Sequence, residues 1–158
     1  MFVDVDDFKS VNDTLGHAVG DQLLIEVGHR MSAVLRPTDT LARFGGDEFV
    51  VVCEDIADPA GAGEVADRLL SAIGTSMPIY DKSVPVSVSI GVAVATDFES
   101  RVEDVIRAAD DAMYQAKHSD STPRWRLAGD RERGATIIPE SQRSVVVVSS
   151  DEPASQVS

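Results

Sequence analysis

The hydrophobic residues of this chain recur with spacings that alternate between those of β-strands and those of α-helices. The apolar start Met1–Val3 predicts a strand over about residues 1–6. A helical period then predicts a long helix from about Val19 to Arg36, which Pro37 would end because proline lacks the N–H that a helix needs. The apolar face of this helix is formed by Leu23, Leu24, Val27, Met31, Val34 and Leu35.

The second half of the pattern repeats this alternation. Two apolar runs around a glycine pair predict a hairpin over about residues 40–53, and helical spacing predicts helices over about 60–74 and 102–117. Apolar and small residues alternate over 86–95, which is typical of a central strand whose small-residue face lets another element approach closely. Arg124–Leu127 is compatible with a short final strand. The order strand, helix, hairpin, helix, strand, helix predicts an α+β fold with a mixed sheet.

Composition narrows the classes of protein that fit this pattern. The chain has 158 residues, enough for one domain, and no apolar run approaches the roughly 20 residues of a membrane span. A formal charge of −13 argues against a general nucleic-acid binder, although a nucleotide substrate fits if a metal and a few lysines offset the local field. The single Cys53 ends an apolar run, which predicts a buried, inert thiol and a reducing cytoplasm. The polar composition of about residues 130–158 predicts a largely disordered tail.

Two acidic clusters carry the candidate chemistry. In Gly45–Phe49, two glycines precede two carboxylates between apolar runs, so the acids would stand beside a bare backbone that a phosphate can approach. Asp4, Asp6 and Asp7 follow the first strand, where their mutual repulsion calls for a cation such as Mg²⁺. Taken alone, the first cluster is equally compatible with a solvated hairpin, and the second is more typical of a solvated strand end. Together they favour a metal and phosphate site, and Lys9 could neutralise a phosphate.

Polar residues between the first strand and the long helix suggest a base-binding role. An Asn and an Asp can pair with the donors and acceptors of guanine, which makes Asn12 and Asp21 candidate guanine readers. Asp21 could instead complement the dipole of the long helix. His17 could contact a ligand, or it could fix the glycine-rich turn that begins at Gly16 by a local hydrogen bond.

These residues, in this order, resemble the GGDEF family of diguanylate cyclases. The resemblance covers about residues 1–118 and rests on ordered motifs rather than on one short run. The motifs are Asp4–Lys9, Asn12-Asp13, Gly16-His17 with Gly20-Asp21, Gly45–Phe49, Val88–Val92, and Ala109-Asp110 with Ala112–Tyr114 and Ala116-Lys117.

The resemblance implies a fold similar to nucleotide cyclase catalytic domains and palm domains, with a ferredoxin-like βαββαβ core. It implies that two GTP molecules are condensed into cyclic di-GMP with release of two pyrophosphates, at the interface of a two-fold homodimer. Asp4, Asp47 and the carbonyl of Val5 would bind Mg²⁺ or Mn²⁺. Asp47 would also accept the proton of the 3′-hydroxyl, and Glu48 would support the metal and the site geometry.

The resemblance assigns the remaining roles to substrate contacts. Asn12 and Asp21 would read guanine, and His17 would lie against the bound nucleotide. Phe8 and Lys9 would contact phosphates, with Lys9 stabilising transition-state charge. Lys117 would reach the triphosphate from the last helix.

A regulatory site is implied by the run Arg36-Pro37-Thr38-Asp39. It resembles the RxxD inhibitory site, at which cyclic di-GMP binds and restrains the enzyme. An arginine fork suits a phosphate or a guanine edge. The alternative is a helix-terminal arginine beside an Asp turn.

The chain departs from the family pattern at two places. It starts inside the first strand, whereas family members usually have a helix before it, so we expect a shortened domain over 1–128 with exposed apolar surface, followed by the tail 129–158. Ser121 stands where the family commonly has a phosphate-binding arginine, for which Arg124 could substitute. Three hypotheses remain: an active cyclase, a catalytically inactive cyclic di-GMP receptor, and a dimerisation module.

Overall fold

The computed structural model describes residues 1–56, 58–95, 101–119 and 123–129. Strands and helices alternate through these residues. In chain order they are β1 (Phe2–Val5), α1 (Phe8–Leu15), α2 (His17–Val34), β2 (Thr40–Gly45), β3 (Glu48–Val52), α3 (Pro59–Ile73), β4 (Ser76–Ile79), β5 (Lys82–Pro85), β6 (Val88–Val92), α4 (Val102–Lys117) and β7 (Trp125–Leu127).

A five-stranded sheet in the order β2-β3-β1-β6-β7 forms the centre of the fold. β1 pairs antiparallel with both β3 and β6, and β2 pairs antiparallel with β3. These four strands with their helical crossovers form the ferredoxin-like core, and β7 makes the sheet mixed because it runs parallel to β6. The prediction of an α+β fold with a mixed sheet is confirmed.

The two faces of the sheet carry different layers. Val3 and Val5 point to the face covered by α2 and α3, where the main hydrophobic core lies. Phe2 belongs to a smaller cluster with Ala109 and Met113 of α4 on the opposite face. Because side chains alternate along a strand, Asp4 shares the α4 face with Phe2. The acidic end of β1 therefore faces the last helix.

Close packing of α4 on the sheet depends on Gly91 in β6. A Cβ at this position would lie 1.8 Å from the carbonyl oxygen of Ala109 and 2.3 Å from the backbone nitrogen of Met113. The expectation that the small-residue face of this strand admits another element is met here, with α4 as that element.

The periodicity analysis missed α1. Phe8, Val11 and Leu15 are spaced as one helical face, but the segment is short and polar, and no residue of Phe8–Leu15, all of which the structure describes, is fully buried. The long helix was also misplaced by two residues: α2 begins at His17 and ends at Val34, with Leu35 already extended.

The small hairpin formed by β4 and β5 was missed too. Its strands have four residues each and contain Pro78 and Pro85, so they lack a clear strand signal. The turn between them places Tyr80 at φ 53°, a conformation usually signalled by glycine or asparagine. The strand predicted over 86–95 is shorter, Val88–Val92, whereas α4 matches its predicted bounds.

Cys53 is buried, as predicted, and desolvation raises its pKa to about 11, so the thiol is inert. An apolar cavity of about 270 Å³ lies between the sheet and α4, with Phe2, Phe44, Val50 and Ile106 among its lining residues. No helix among the described residues is both long and apolar enough to cross a bilayer. The predicted tail from 130 onward and the Ser121 departure lie outside the described residues.

Candidate active site

The register of the sheet brings the two acidic clusters together. Asp4 of β1 lies directly opposite Glu48 of β3, and the backbone N–H of Val5 donates to the carbonyl oxygen of Asp47 at 3.1 Å. The tip of the β2–β3 hairpin is therefore held against the end of β1. Two segments separated by about 40 residues of sequence thus form one carboxylate cluster, as the sequence predicted.

The turn that carries Asp47 is braced by Arg43. Its Nε and Nη2 atoms both donate to the carbonyl oxygen of Gly46, at 2.9 and 2.7 Å, and Gly46 has φ 46°. A glycine meets this backbone conformation without strain. The sequence analysis gave Arg43 no role, although its position two residues before the glycine pair was a signal.

Lys117 reaches the cluster from the end of α4. Its Nζ lies 2.5 Å from Oδ1 of Asp4, whose side chain is only 11% exposed. Burial of the Asp4 carboxyl raises its pKa, and the nearby charges of Asp47 and Asp6 add to this, against the opposing effect of Lys117. Desolvation acts to lower the pKa of Lys117, but the hydrogen bond and the carboxylates outweigh it and raise that pKa. The cluster is thus rich in negative charge and short of cations.

Glu48 reports the same electrostatic environment. Burial is the largest cause of the raised pKa of Glu48. The negative charges of Asp4, Asp47 and Asp110 raise this pKa further, and the positive charge of Lys117 acts in the opposite direction. Asp110 lies on α4, seven residues before Lys117 and so on the same helical face. The sequence analysis did not assign Asp110 to the site.

The residues expected to meet the nucleotide lie on α1 and α2. Asp7 has left-handed φ 53° and precedes α1, which starts with the half-buried Phe8 and the exposed Lys9. His17 begins α2, and Asp21 follows one turn later on the same side; both are exposed.

Asn12 lies where α1 packs against Gly20 of α2. A Cβ on Gly20 would sit 2.0 Å from Oδ1 of Asn12, so only glycine leaves room for this amide. The Oδ1 atom is buried and has no hydrogen-bond partner among the described residues. Asn12 therefore packs against Gly20, the residue before Asp21, with an acceptor that no described residue occupies.

Arg36 and Asp39 lie at the far end of the hairpin from Asp47. The Arg36 N–H donates to Oδ2 of Asp39 at 2.8 Å, and the Asp39 N–H donates to the Arg36 carbonyl at 3.0 Å. The Asp turn, which was the alternative to a binding site, is therefore present and occupies one carboxylate oxygen of Asp39. Its Oδ1 is buried without a hydrogen-bond partner in the described part of the chain, and Arg36 is exposed.

A metal site built from protein ligands alone is absent from the described residues, since no group of three or more His, Cys, Asp or Glu side chains is arranged to hold an ion. The paired acids are nevertheless all-oxygen donors, the type that Mg²⁺ and Mn²⁺ prefer.

Comparison with known proteins agrees with this geometry. The family model described as "Diguanylate cyclase, GGDEF domain" matches residues 1–122. The chain therefore belongs to the GGDEF-domain diguanylate cyclase family.

Individual relatives extend this result. The chain is 47% identical over 118 residues, 74% of its length, to the bifunctional diguanylate cyclase/cyclic di-GMP phosphodiesterase MucR of Pseudomonas aeruginosa, of which it spans only 17%. It resembles the crystal structure of the GGDEF domain of TpbB from the same organism, with a TM-score of 0.72 and 35% identity over 82% of this chain and 81% of that one. The GGDEF domain of DgcB from Caulobacter crescentus, solved in complex with c-di-GMP, gives a TM-score of 0.71 at 26% identity, over 82% of this chain and 74% of that one.

Proposed function

We propose that this chain is a diguanylate cyclase, which condenses two GTP molecules into cyclic di-GMP and releases two pyrophosphates. The observation that carries the proposal is the pairing of Asp4 with Glu48 beside the backbone-anchored Asp47, with Lys117 reaching in from α4. Three acids and one cation at the bare tip of a hairpin suit phosphoryl transfer, which relies mainly on metal ions, positioning and charge neutralisation.

A divalent cation, Mg²⁺ or Mn²⁺, fits these residues. Mg²⁺ typically takes one or two carboxylates and completes its shell with substrate phosphates and water, so a cage of three protein side chains is not required. Asp4, Asp47 and the Val5 carbonyl would hold it, and Glu48 would support that arrangement. When bound, the ion supplies neutralising charge to the phosphates.

For each new O–P bond, the protein's chemical role is to accept one proton. The 3′-oxygen of one GTP attacks the α-phosphorus of the other, a new O–P bond forms, and the bond from that phosphorus to the β-phosphate's bridging oxygen breaks. Pyrophosphate leaves, and Asp47 accepts the proton of the 3′-hydroxyl. A second identical step closes the ring. Because each chain would hold one GTP, a homodimer is needed to bring the two nucleotides together.

The nucleotide contacts are assigned to residues of α1 and α2, in the roles that the family resemblance implies. Asn12, whose buried Oδ1 has no hydrogen-bond partner among the described residues, and Asp21 would bind the guanine edge, and the exposed His17 would lie against the nucleotide. Phe8 and Lys9, at the start of α1, would contact phosphates, and Lys117 would reach them from the end of α4.

The direct test is product formation. Purified protein with GTP and Mg²⁺ should yield cyclic di-GMP, separated by chromatography, and Asp47→Ala should reduce the rate at least about 100-fold, the scale expected when transition-state stabilisation is removed. Asp111→Asn, on the exposed side of α4, is the matched loss of one acid and should retain the rate. A folded wild-type protein that makes no product, or equal losses in both variants, would contradict the proposal.

The dimer is tested by mixing variants. If both chains of a C₂ pair are needed, an equal mixture of wild type and Asp47→Ala should show about a quarter of the activity of undiluted wild type, because only that share of dimers is fully wild type. A simple halving of the activity would show that each chain acts alone.

A second function is favoured by Arg36 and Asp39. The exposed arginine, beside a buried carboxylate oxygen that no described residue pairs with, could bind cyclic di-GMP, as an inhibitory site in an active cyclase or as the sole function of an inactive receptor. Calorimetry with cyclic di-GMP should give binding that Arg36→Ala abolishes, and in an active enzyme the same variant should relieve product inhibition. Unchanged binding in Arg36→Ala would exclude this site.

A further inference from the structure

A second buried carboxylate lies directly behind the proposed metal site. Asp6 is two residues after Asp4, so the alternation of side chains along a strand puts both on the same face. Arg124 is the residue that could replace the missing phosphate-binding arginine. The structure pairs these two residues with each other. Asp6, Ser87, Ser89 and Arg124 together form what we name the Asp6 cluster.

Both carboxylate oxygens of Asp6 are engaged in this cluster. Ser89 Oγ donates to Oδ1 at 2.8 Å, and Arg124 Nη1 donates to Oδ2 at 2.7 Å. Arg124 Nη1 also lies 3.4 Å from Ser87 Oγ. The Asp6 side chain is 6% exposed and that of Arg124 is 37% exposed. A carboxylate this buried needs a paired cation, so loss of the Arg124 contact would leave Asp6 as an uncompensated buried charge.

Backbone hydrogen bonds hold both ends of the cluster. The Asp6 N–H donates to the carbonyl of Ser87 at 2.9 Å, and the Ile90 N–H donates to the carbonyl of Arg124 at 3.0 Å. The backbone of Arg124, just before β7, is therefore bonded to β6. The backbone of Asp6, just after β1, is bonded to Ser87, just before β6. The side-chain pair connects two segments that are already fixed in place.

The position of Asp6 in the chain explains why this matters for the site. Asp4 and Val5 lie just before it, and Phe8 and Lys9 lie just after it, beyond Asp7 with its left-handed backbone. The proposed metal-binding and phosphate-binding residues thus flank the one carboxylate that Arg124 holds. A shift of Asp6 would move both groups relative to each other.

We propose that Arg124 is a positioning residue of the cyclase site, which acts by holding Asp6 and does not itself bind the triphosphate. This inference rests on the proposed function. It leaves Lys9 and Lys117 to meet the phosphates, and it makes Asp6 a structural anchor rather than a metal ligand.

A double-mutant cycle separates this role from direct phosphate binding. The variants are Arg124→Gln, Asp6→Asn and the two combined, with Arg124→Lys as the conservative change. Arg126→Gln is the matched control, since Arg126 lies two residues further on, in β7, but bonds to Ser119 Oγ at 2.8 Å. For each variant, kcat and KM for GTP, the Kd of a non-reactive α,β-methylene GTP analogue with Mg²⁺, and the melting temperature are measured.

We expect Arg124→Gln to lower kcat/KM by about tenfold or more, measured well below its melting temperature, because misplacement of positioned groups is costly. Arg124→Lys should recover most of the loss, and Arg126→Gln should cause little. Adding Arg124→Gln to Asp6→Asn should have only a small further effect, since the charge that Arg124 compensates is already gone.

Three results would overturn the inference. An equal loss from Arg124→Gln with and without Asp6→Asn would make Arg124 a direct phosphate ligand. A lower melting temperature with unchanged kcat, KM and analogue Kd would make the pair purely structural. Wild-type protein that neither reacts with GTP nor binds the analogue would remove the site itself. Wild-type protein that binds the analogue without forming product refutes only the cyclase activity, and the analogue Kd values then decide the role of Arg124.

Discussion

Gly20→Ala offers the sharpest test of the proposed guanine pocket. A Cβ at this position would lie 2.0 Å from Asn12 Oδ1, 3.0 Å from Asn12 Cγ and 3.2 Å from Phe8 Cζ, whereas ordinary contact begins at 3.4 Å. The Asn12 oxygen must therefore retreat by 3.4 − 2.0 = 1.4 Å. Such a shift is enough to break a hydrogen bond to a bound base, whose donor–acceptor distance normally spans only about 2.7–3.2 Å.

The expected energies distinguish an effect on binding from an effect on folding. Alanine in place of glycine favours the helix by about 1 kcal/mol, while crowding of the neighbouring side chains costs about 1–3 kcal/mol. The net loss of folding stability is therefore at most about 2 kcal/mol. A polar edge of guanine left unpaired costs about 1–3 kcal/mol, which corresponds to a loss of affinity of about 5- to 150-fold.

Calorimetry with the GTP analogue and urea unfolding measure these two quantities separately. Gly28→Ala is the matched control in the same helix, because its Cβ would meet only Phe49 Cε1 at an ordinary 3.7 Å. It should gain up to about 1 kcal/mol of stability with unchanged affinity. Gly20→Ala that binds the analogue as tightly as wild type, or equal losses of affinity in both variants, would refute the role of Asn12 in base binding.

Three further outcomes are expected. Gly91→Ala should lower the free energy of unfolding in urea by about 3 kcal/mol or more, because the clash is with the backbone of α4 and not with a movable side chain. Arg43→Lys removes the two-pronged bond to Gly46 and should lower kcat about tenfold with little change in melting temperature. Glu48→Gln should raise the melting temperature of metal-free protein at about pH 7, and the gain should vanish by about pH 4.

The sign of the last prediction follows from the raised pKa of Glu48. The folded state holds the proton more tightly than the unfolded state, so the wild type loses stability as pH rises from the unfolded pKa to the folded one. Glutamine removes that loss. Exposed Glu64→Gln is its control, and a pH-independent gain would contradict the explanation. For Gly91→Ala, a free energy of unfolding as high as that of wild type would contradict the clash with α4. For Arg43→Lys, a fall in kcat that merely follows unfolding would contradict the role of the bond to Gly46.

Local periodicity predicted those elements that bury a regular apolar face. The alternation around Ile90 predicted β6, and the helical spacing before Lys117 predicted α4 with its observed bounds. The same criterion failed for α1, whose surface position leaves it without a fully buried residue in Phe8–Leu15 as described. It also failed for β4 and β5, where Tyr80 takes a left-handed conformation that its residue type does not signal.

The sequence by itself therefore determined the residue types of the site, because the ordered motifs that carry them are a local property of the chain. Only the tertiary structure decided which charges meet. Lys117 reaches Asp4 and Arg124 reaches Asp6 across 113 and 118 positions of sequence. Such contacts depend on strand register and on how closely α4 packs against Gly91, and no local spacing specifies either of them. Burial then forces each carboxylate to take the nearest cation, which divided Asp4 and Asp6 between two different partners.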